Sequence, residues 1–533
     1  LPEILQVRRC GGKSDDGKAD RSKAVARRRR AVALGGQRSQ RRFSSSRRML
    51  PQGRYNIIKY EVNQNGGIAL KHIDDILKEV KKVHFIGIGG AGMCPVAEIL
   101  ISLGYDVTGS DNNDTETFRR IEKEGAKVFL GQKKENISPD TQLVIYTNAI
   151  LAGNEELEYA KANFPTFERA ELLGAISRIY SNCIGVCGTH GKTTTSSMIT
   201  QALLEAGLDP SAVIGGKLPI INAYGRVGKT QNFVCESCEF NNTFLHMNAD
   251  MAVVLNIDED HLDFFGNLEN IKKSFREFCD KTTKTIIYNG DDANTVDMLK
   301  GIEGKELISF GKNPKNEWTA RNINVPGGFH IEYDVYHGEE FITHIYLHIP
   351  GEHNVLNSLA AFIACTKSGA DIEQTAHGLS DFTGAGRRFE LKGTYCGITV
   401  ADDYAHHPRE IEVTLEAAKK MDYKRVWAVH QPFTFSRTAR LLDDFARVLQ
   451  IADKCIVSEI MGSREVNTIG IKATDLSSKI PGCIQIDKLD DIAEYLAENC
   501  KEGDLVITLG CGDVYKVSRM LVEKLKKKEA TNK

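Results

Sequence analysis

No uninterrupted apolar run approaches the roughly eighteen residues of a membrane-spanning helix, which makes a soluble chain with no membrane partner the default. A disulfide framework is missing too. The 13 cysteines are odd in number and irregularly spaced, a pattern of reduced thiols that points to a cytoplasmic address. There is no internal repeat, and biased composition is confined to the first 48 residues. These carry fifteen Arg and Lys against four Asp and Glu, a net charge of +11, so the overall −2 leaves about −13 for residues 49–533. Only one aromatic residue, Phe43, interrupts the basic ones, which speaks against a nucleic-acid-binding arm. A transit segment is the second alternative. Translated sequence upstream of the true start is the favoured reading, because the chain opens on leucine and Met49 stands where the composition changes.

What is present is a long acidic body of α/β character. At 41% hydrophobic residues, a 533-residue chain fills about three domains. From Val83 a buried strand (VHFIGI), a glycine turn, a helix (AGMCPVAEILISLG) and a second strand (YDVTGSD) make a β-α-β unit. A second series begins at NCIGVCG and a third after GAGRRFE. The expected organisation is a basic disordered leader over 1–48, then α/β domains over 49–180, 181–382 and 383–533. The outer two are Rossmann-like, and the central one is a phosphate-loop type built on a parallel sheet.

The stretch GVCGTHGKTTT lacks one glycine of the generic phosphate-loop pattern, whose place is taken by Val186. Strand, turn and helix still surround Lys192. Backbone N–H groups from Gly188, Thr189, His190 and Gly191 would converge on an anion there, with Lys192 reaching the terminal phosphates and Thr193 and Thr194 opening the helix. Glu236 closes the next apolar strand and His261 follows the one after. A carboxylate beside the loop threonine suits magnesium, which wants hard oxygen donors.

GTHGKTTT, Glu236, NIDEDHLD, GEHNVLNSLAA, GAGRRFE, DDYAHHP and GCGDVYK follow one another in an order that resembles the Mur ligase family over about residues 80–520. The likeness is greatest to its member that adds L-alanine to UDP-N-acetylmuramate. The resemblance implies an ATP-dependent acid–amino-acid ligase working through an acyl phosphate, with catalytic Lys192, His261 and Arg388. It implies metal ligation by Thr193, Glu236 and His261 for Mg2+, with Mn2+ acceptable. ATP would be bound by the loop 188–194 together with His353, Asn354, Asn357, Arg388 and Asp403, and the chain would be a monomer or homodimer.

GIGGAG satisfies the dinucleotide fingerprint, with Asp111 lying 19 residues past Gly92. An NAD-dependent oxidoreductase is therefore the alternative from another class. In the resembling family Gly87, Gly89, Gly90, Ala91, Gly92 and Asp111, with Asn222, would instead hold the UDP-sugar. Tyr404, His406 and Arg437 would line the amino-acid pocket, Arg437 taking the carboxylate by a bidentate pair. His407 has a capping role as its other reading. Several positions depart from the family pattern. Phe433 and Thr434 replace basic residues, Tyr224 takes an arginine's place with Arg226 as a shifted substitute, and Phe275 stands where relatives carry a modified lysine, Lys272 and Lys273 being out of register. CESC around Glu236 is an isolated pair and not a thiol site. A tripeptide-recycling ligase and a non-catalytic regulator are the remaining alternatives.

Overall fold

Besides a two-stranded ribbon of Tyr60–Val62 with Ile68–Leu70, short apolar runs closed by glycine turns become the strands of three larger sheets. The computed structural model describes residues 60–62, 68–70, 72–326, 330–463 and 465–531, so the expected leader over 1–48 lies outside the described residues. All of them fall within one unit, Ile58–Lys533.

The first sheet has five parallel strands in the order Lys127–Leu130, Asp106–Asp111, Lys82–Ile86, Leu143–Tyr146, Thr166–Glu168. Strand order reverses beside Lys82–Ile86. The crevice at the carboxyl ends of such strands is where open α/β sheets take ligands, and GIGGAG leaves the sheet at that point.

The second sheet has ten strands. Its centre is parallel, with Asn182–Cys187 lying between Asn232–Glu236 and Met251–Val254. Three adjacent strands therefore deliver the phosphate loop, Glu236 and the NIDEDH segment to one edge. The expected parallel sheet forms the centre, and antiparallel strands are added at both margins. Ala223–Arg226 runs antiparallel to Ser211–Leu218, and Trp318–Asn324, Ile331–His337 and Glu340–Leu347 form an antiparallel extension. The links explain the change: only antiparallel neighbours can be joined by a turn as short as Gly338–Glu339.

Central strands are buried on both faces, which is why they read as continuous apolar runs. In Met251–Val254, Ala252 and Val254 enter a core with Phe233, Phe275 and Phe278, whereas Val253 enters the opposite core with Val186 and Phe362.

The third sheet is ordered Glu390–Tyr395, Ile398–Asp403, Asp504–Leu509, Arg425–His430, Lys454–Val457, Ile484–Gln485, parallel except for its first strand. DDYAHHP, QPFTFSR and GCGDVYK all leave its carboxyl ends. No helix among the described residues is long and apolar enough to cross a membrane.

Candidate active site

Val186, at the place of the missing glycine, is a strand residue. It is fully buried and paired with Glu236 on one side and Val253 on the other, so the loop begins after it. Gly188 and Gly191 adopt φ 140° and 89°. A Cβ on Gly191 would stand 2.6 Å from Asn357 Oδ1, so neither the conformation nor the space admits a side chain. Helix Lys192–Glu205 starts at once, leaving its first N–H groups free for an anion. Asn256 holds the loop from the neighbouring strand, its Oδ1 accepting from His190 N at 2.9 Å and its Nδ2 donating to His190 O at 3.0 Å.

Lys192 Nζ donates to the carbonyls of Gly188 and Thr189 and pairs with Glu239 at 3.0 Å, both side chains being largely buried. Burial opposes its charge, but the carboxylates of Glu239 and Glu236 hold its pKa above the ordinary lysine value. Thr193 Oγ1 donates to Glu236 Oε2 at 2.8 Å, and the same oxygen accepts from Gly215 N at 2.8 Å. Arg388 Nη2, from 195 residues further on, reaches Thr193 Oγ1 at 3.3 Å. His261 adopts φ 51° at the start of Leu262–Phe265, with its ring 4.6 Å from that of Phe240 and Nε2 3.7 Å from Asp260. Among the described residues no three His, Cys, Asp or Glu side chains are arranged to cage a metal ion. Thr193 and Glu236 are nevertheless an oxygen pair of the kind magnesium uses when phosphates complete its shell.

Above the loop lies a cavity of about 490 Å³ lined by His190, Gly191, Thr193, Thr194, His353, Asn354, Asn357, Arg388 and Asp403 among others. Nine of the residues expected to bind ATP therefore share one space, with Gly188, Thr189 and Lys192 in the loop beneath it. Asn357 Nδ2 donates to Asn354 Oδ1 at 2.9 Å, and Asn354 Nδ2 to Pro350 O at 2.7 Å, so both amides are partly engaged with protein. Asp403 accepts from Phe389 N and Ala405 N at 2.8 and 2.7 Å, and burial pushes its pKa up to about 6.

Helix Pro408–Lys419 of the third sheet closes one wall of this cavity with Val413, Thr414 and Ala417. Glu410 joins that wall to the phosphate loop. Its carboxylate lies 3.5 Å from His190 Nδ1, while Asp258, itself paired with Arg409, lies 3.6 Å from Nε2. Burial disfavours an imidazolium here, yet the two carboxylates raise His190 to about 9. A folded pKa above the ordinary value means the attraction is complete below about pH 6.5 and is lost as pH rises through about 9. Glu410→Gln is expected to return His190 toward the ordinary histidine range, read by NMR titration of its ring. A variant still titrating near 9 would show that Glu410 is not its partner.

The residues expected to line an amino-acid pocket lie along the same edge. His407 caps Pro408–Lys419, and Glu410 Oε2 accepts from the backbone N–H of both His406 and His407. His406 Nδ1 lies 3.1 Å from Tyr404 O, and burial lowers its pKa to about 4. Arg437 lies in helix Phe435–Arg440, and its charge acts on Asp260, His406 and Cys511. Phe433 makes an isolated bridge to Met461, and Thr434 adopts φ 64°.

At the first sheet, Gly87 N and Ile88 N bond Ser110 O, and Gly89 N donates to Asp111 Oδ2 at 3.0 Å. The carboxylate that a dinucleotide reading would give to a ribose thus holds the turn itself. Asn222 lies in a cleft facing this sheet with Arg120, Lys217 and Tyr224. Lys217, in strand Ser211–Leu218, pairs at 2.7 Å with Glu116, which opens helix Glu116–Lys123.

Residues 82–181 match the description "Mur ligase family, catalytic domain", residues 186–365 "Mur ligase middle domain" and residues 387–512 "Mur ligase, glutamate ligase domain". The chain belongs to the Mur ligase family. It is 43% identical over 458 residues to the UDP-N-acetylmuramate–L-alanine ligase of Caldanaerobacter subterraneus, covering 85% of this chain and 99% of the relative. The enzyme of the same name from Acetivibrio thermocellus is 44% identical over 451 residues, covering 83% and 96%. Among solved structures, the UDP-N-acetylmuramate-alanine ligase of Thermotoga maritima matches with TM-score 0.71 and 27% identity, covering 84% of this chain and 99% of the other. A murein peptide ligase from Psychrobacter arcticus matches with TM-score 0.65 and 26% identity, covering 84% and 98%.

Arg226, the shifted substitute expected for the arginine displaced by Tyr224, is engaged by protein in this structure. It is bound to Asp209 at 2.6 Å and to Pro210 O, while Lys217 takes the cleft position. Phe275 is fully buried in the core, and Lys272 pairs with Asp297 and Glu269. Burial pushes Cys235 and Cys238 of CESC up to about 12, which disfavours their thiolates. Sequence reasoning missed Glu239, Asp258 and Glu410. It also missed Arg169, whose guanidinium would lie 3.5 Å from a Cβ placed on Gly92 of the glycine turn. Each is an unremarkable charged residue until its partner is known.

Proposed function

We propose that the chain joins L-alanine to the lactyl carboxylate of UDP-N-acetylmuramate, using ATP, as a cytoplasmic step of peptidoglycan precursor synthesis. The observation that carries this is the identity of 43 and 44%, over more than four-fifths of the chain, to ligases of that name. The meeting of Thr193 with Glu236 and Arg388 at one corner of the cavity supports it.

In the first step a lactyl carboxylate oxygen attacks the γ-phosphorus of ATP, ADP leaves and an acyl phosphate forms. In the second the alanine amine attacks the acyl carbon, phosphate leaves and the amine gives up a proton. Two anions must approach each other in the first step, so Lys192 below the loop and Arg388 above it neutralise charge where it gathers. Thr193 and Glu236 fit a magnesium ion, with manganese acceptable and His261 assigned to a second ion; bound there, the metal would shield the phosphate from the carboxylate. His353, Asn354, Asn357 and Asp403 orient the nucleoside. The glycine turn 87–92, with Asn222 and Arg169, holds the UDP group, and Asp111 supports that turn. Arg437 takes the alanine carboxylate between Tyr404 and His406. We place the domain joints near residues 180 and 383, between the sheets, so that the acyl phosphate is shut from water when the third unit docks.

The similarity in fold to a murein peptide ligase keeps a tripeptide acceptor as the second reading. Phosphate release from ATP with UDP-N-acetylmuramate and L-alanine, glycine, L-serine or tripeptide in turn separates the two. The greatest kcat/KM is expected with L-alanine; preference for the tripeptide would reassign the enzyme to recycling.

A further inference from the structure

A pair of thiols in the third sheet takes no part in the chemistry above. Cys455 lies in strand Lys454–Val457, and Cys483 directly precedes its parallel neighbour Ile484–Gln485. Ile456 is registered with Ile484 and Val457 with Gln485, so Cys455 and Cys483 occupy the preceding rung. Side chains alternate between faces along a strand. Ile456 and Ile484 enter the core around Trp427 and Leu496, whereas both cysteines turn to the opposite core, around Phe445 and Leu476. Among the described residues no other two cysteines face each other across neighbouring strands.

Strands in a sheet lie about 4.8 Å apart. That falls within the roughly 4.4–6.8 Å between Cα atoms that a disulfide spans. Cys455 is buried and Cys483 half-buried, so an oxidant would enter at Cys483. The segment there can yield: Cys483 follows the turn glycine Gly482, at φ 71°, and opens a two-residue strand on the sheet's edge. The Cys455 thiol beside it holds Cys483 below the usual thiol range, while Cys455 lies well above it. A more acidic, accessible sulfur next to a sheltered one is the arrangement of an attacking and a resolving thiol.

We propose that Cys455 and Cys483 form a reversible redox pair that a hydroperoxide closes into a disulfide. The Cys483 thiolate attacks the terminal peroxide oxygen, forming a sulfenic acid and releasing the other oxygen as hydroxide or, from an organic hydroperoxide, as an alkoxide that takes a proton from water. Cys455 sulfur then displaces the sulfenic oxygen, which leaves as water after taking up the thiol proton. Two thiols are oxidised and one peroxide is reduced; a dithiol reverses the step by exchange. Strand Lys454–Val457 runs on to Met461, whose N–H donates to Pro432 O and whose carbonyl accepts from Thr434 N, each at 2.9 Å. Closure would therefore pin the edge that supports the QPFTFSR segment.

The test exposes the full chain to hydrogen peroxide in a few-fold excess, blocks remaining thiols with iodoacetamide under denaturing conditions, and maps the peptides by mass spectrometry. A linked peptide joining Cys455 to Cys483 is expected, lost on treatment with dithiothreitol, and Cys483→Ser should leave Cys455 alkylated. Recovery of both cysteines as alkylated thiols, whatever else has been oxidised, overturns the proposal. So does either one linked to a different cysteine.

Discussion

Lys192→Met is expected to lower kcat by about 10³-fold, because it deletes the cation under the phosphates in a site sheltered from water. The same change leaves Glu239, whose side chain is 3% exposed, without its partner. Removing one member of a buried pair costs about 3–5 kcal/mol, so the single variant should also melt early. Lys192→Met combined with Glu239→Gln separates the effects, since it removes both charges. Its thermal midpoint should return most of the way while turnover stays lost. Recovery of turnover together with stability would mean that Lys192 serves only the fold.

Arg388→Ala is expected to lower kcat by about 10³-fold with a much smaller change in the KM for ATP and an unchanged thermal midpoint. The side chain is half-buried, and its hydrogen bond, at 3.3 Å, is to Thr193. Its neighbour supplies the structural tie. Arg387 bonds buried Asp402 at 3.0 Å and Gly510 O, and its guanidinium lies 4.8 Å from the rings of both Tyr404 and Tyr515. Arg387→Ala should therefore behave oppositely, losing stability first. Arg387 and Phe389 adopt φ 61° and 46°, so Arg388 is presented between two left-handed residues. Rapid quench would show whether Arg388→Ala slows acyl phosphate formation, as expected; slowing confined to amide formation would move the residue to the second step.

Much of the site was legible because chemistry demands particular residues at strand ends. GTHGKTTT, Glu236 and DDYAHHP lie at such ends, where side chains project into the crevice and no packing partner is needed. What escaped was anything defined by a distant partner. Glu410 is meaningful only because His190, 220 residues earlier, lies 3.5 Å from it, and Glu239 only because Lys192 folds back onto it. The antiparallel extension was obscure because a strand's orientation is set by its links, and alternation alone does not report direction.

Arg388 and Glu410 are synthesised about two hundred residues after the loop they serve. A nascent chain that has folded its first two sheets already owns Lys192, Thr193 and Glu236 but lacks the arginine and the wall of Pro408–Lys419. The arginine and the wall reach the loop last because the ribosome makes them last.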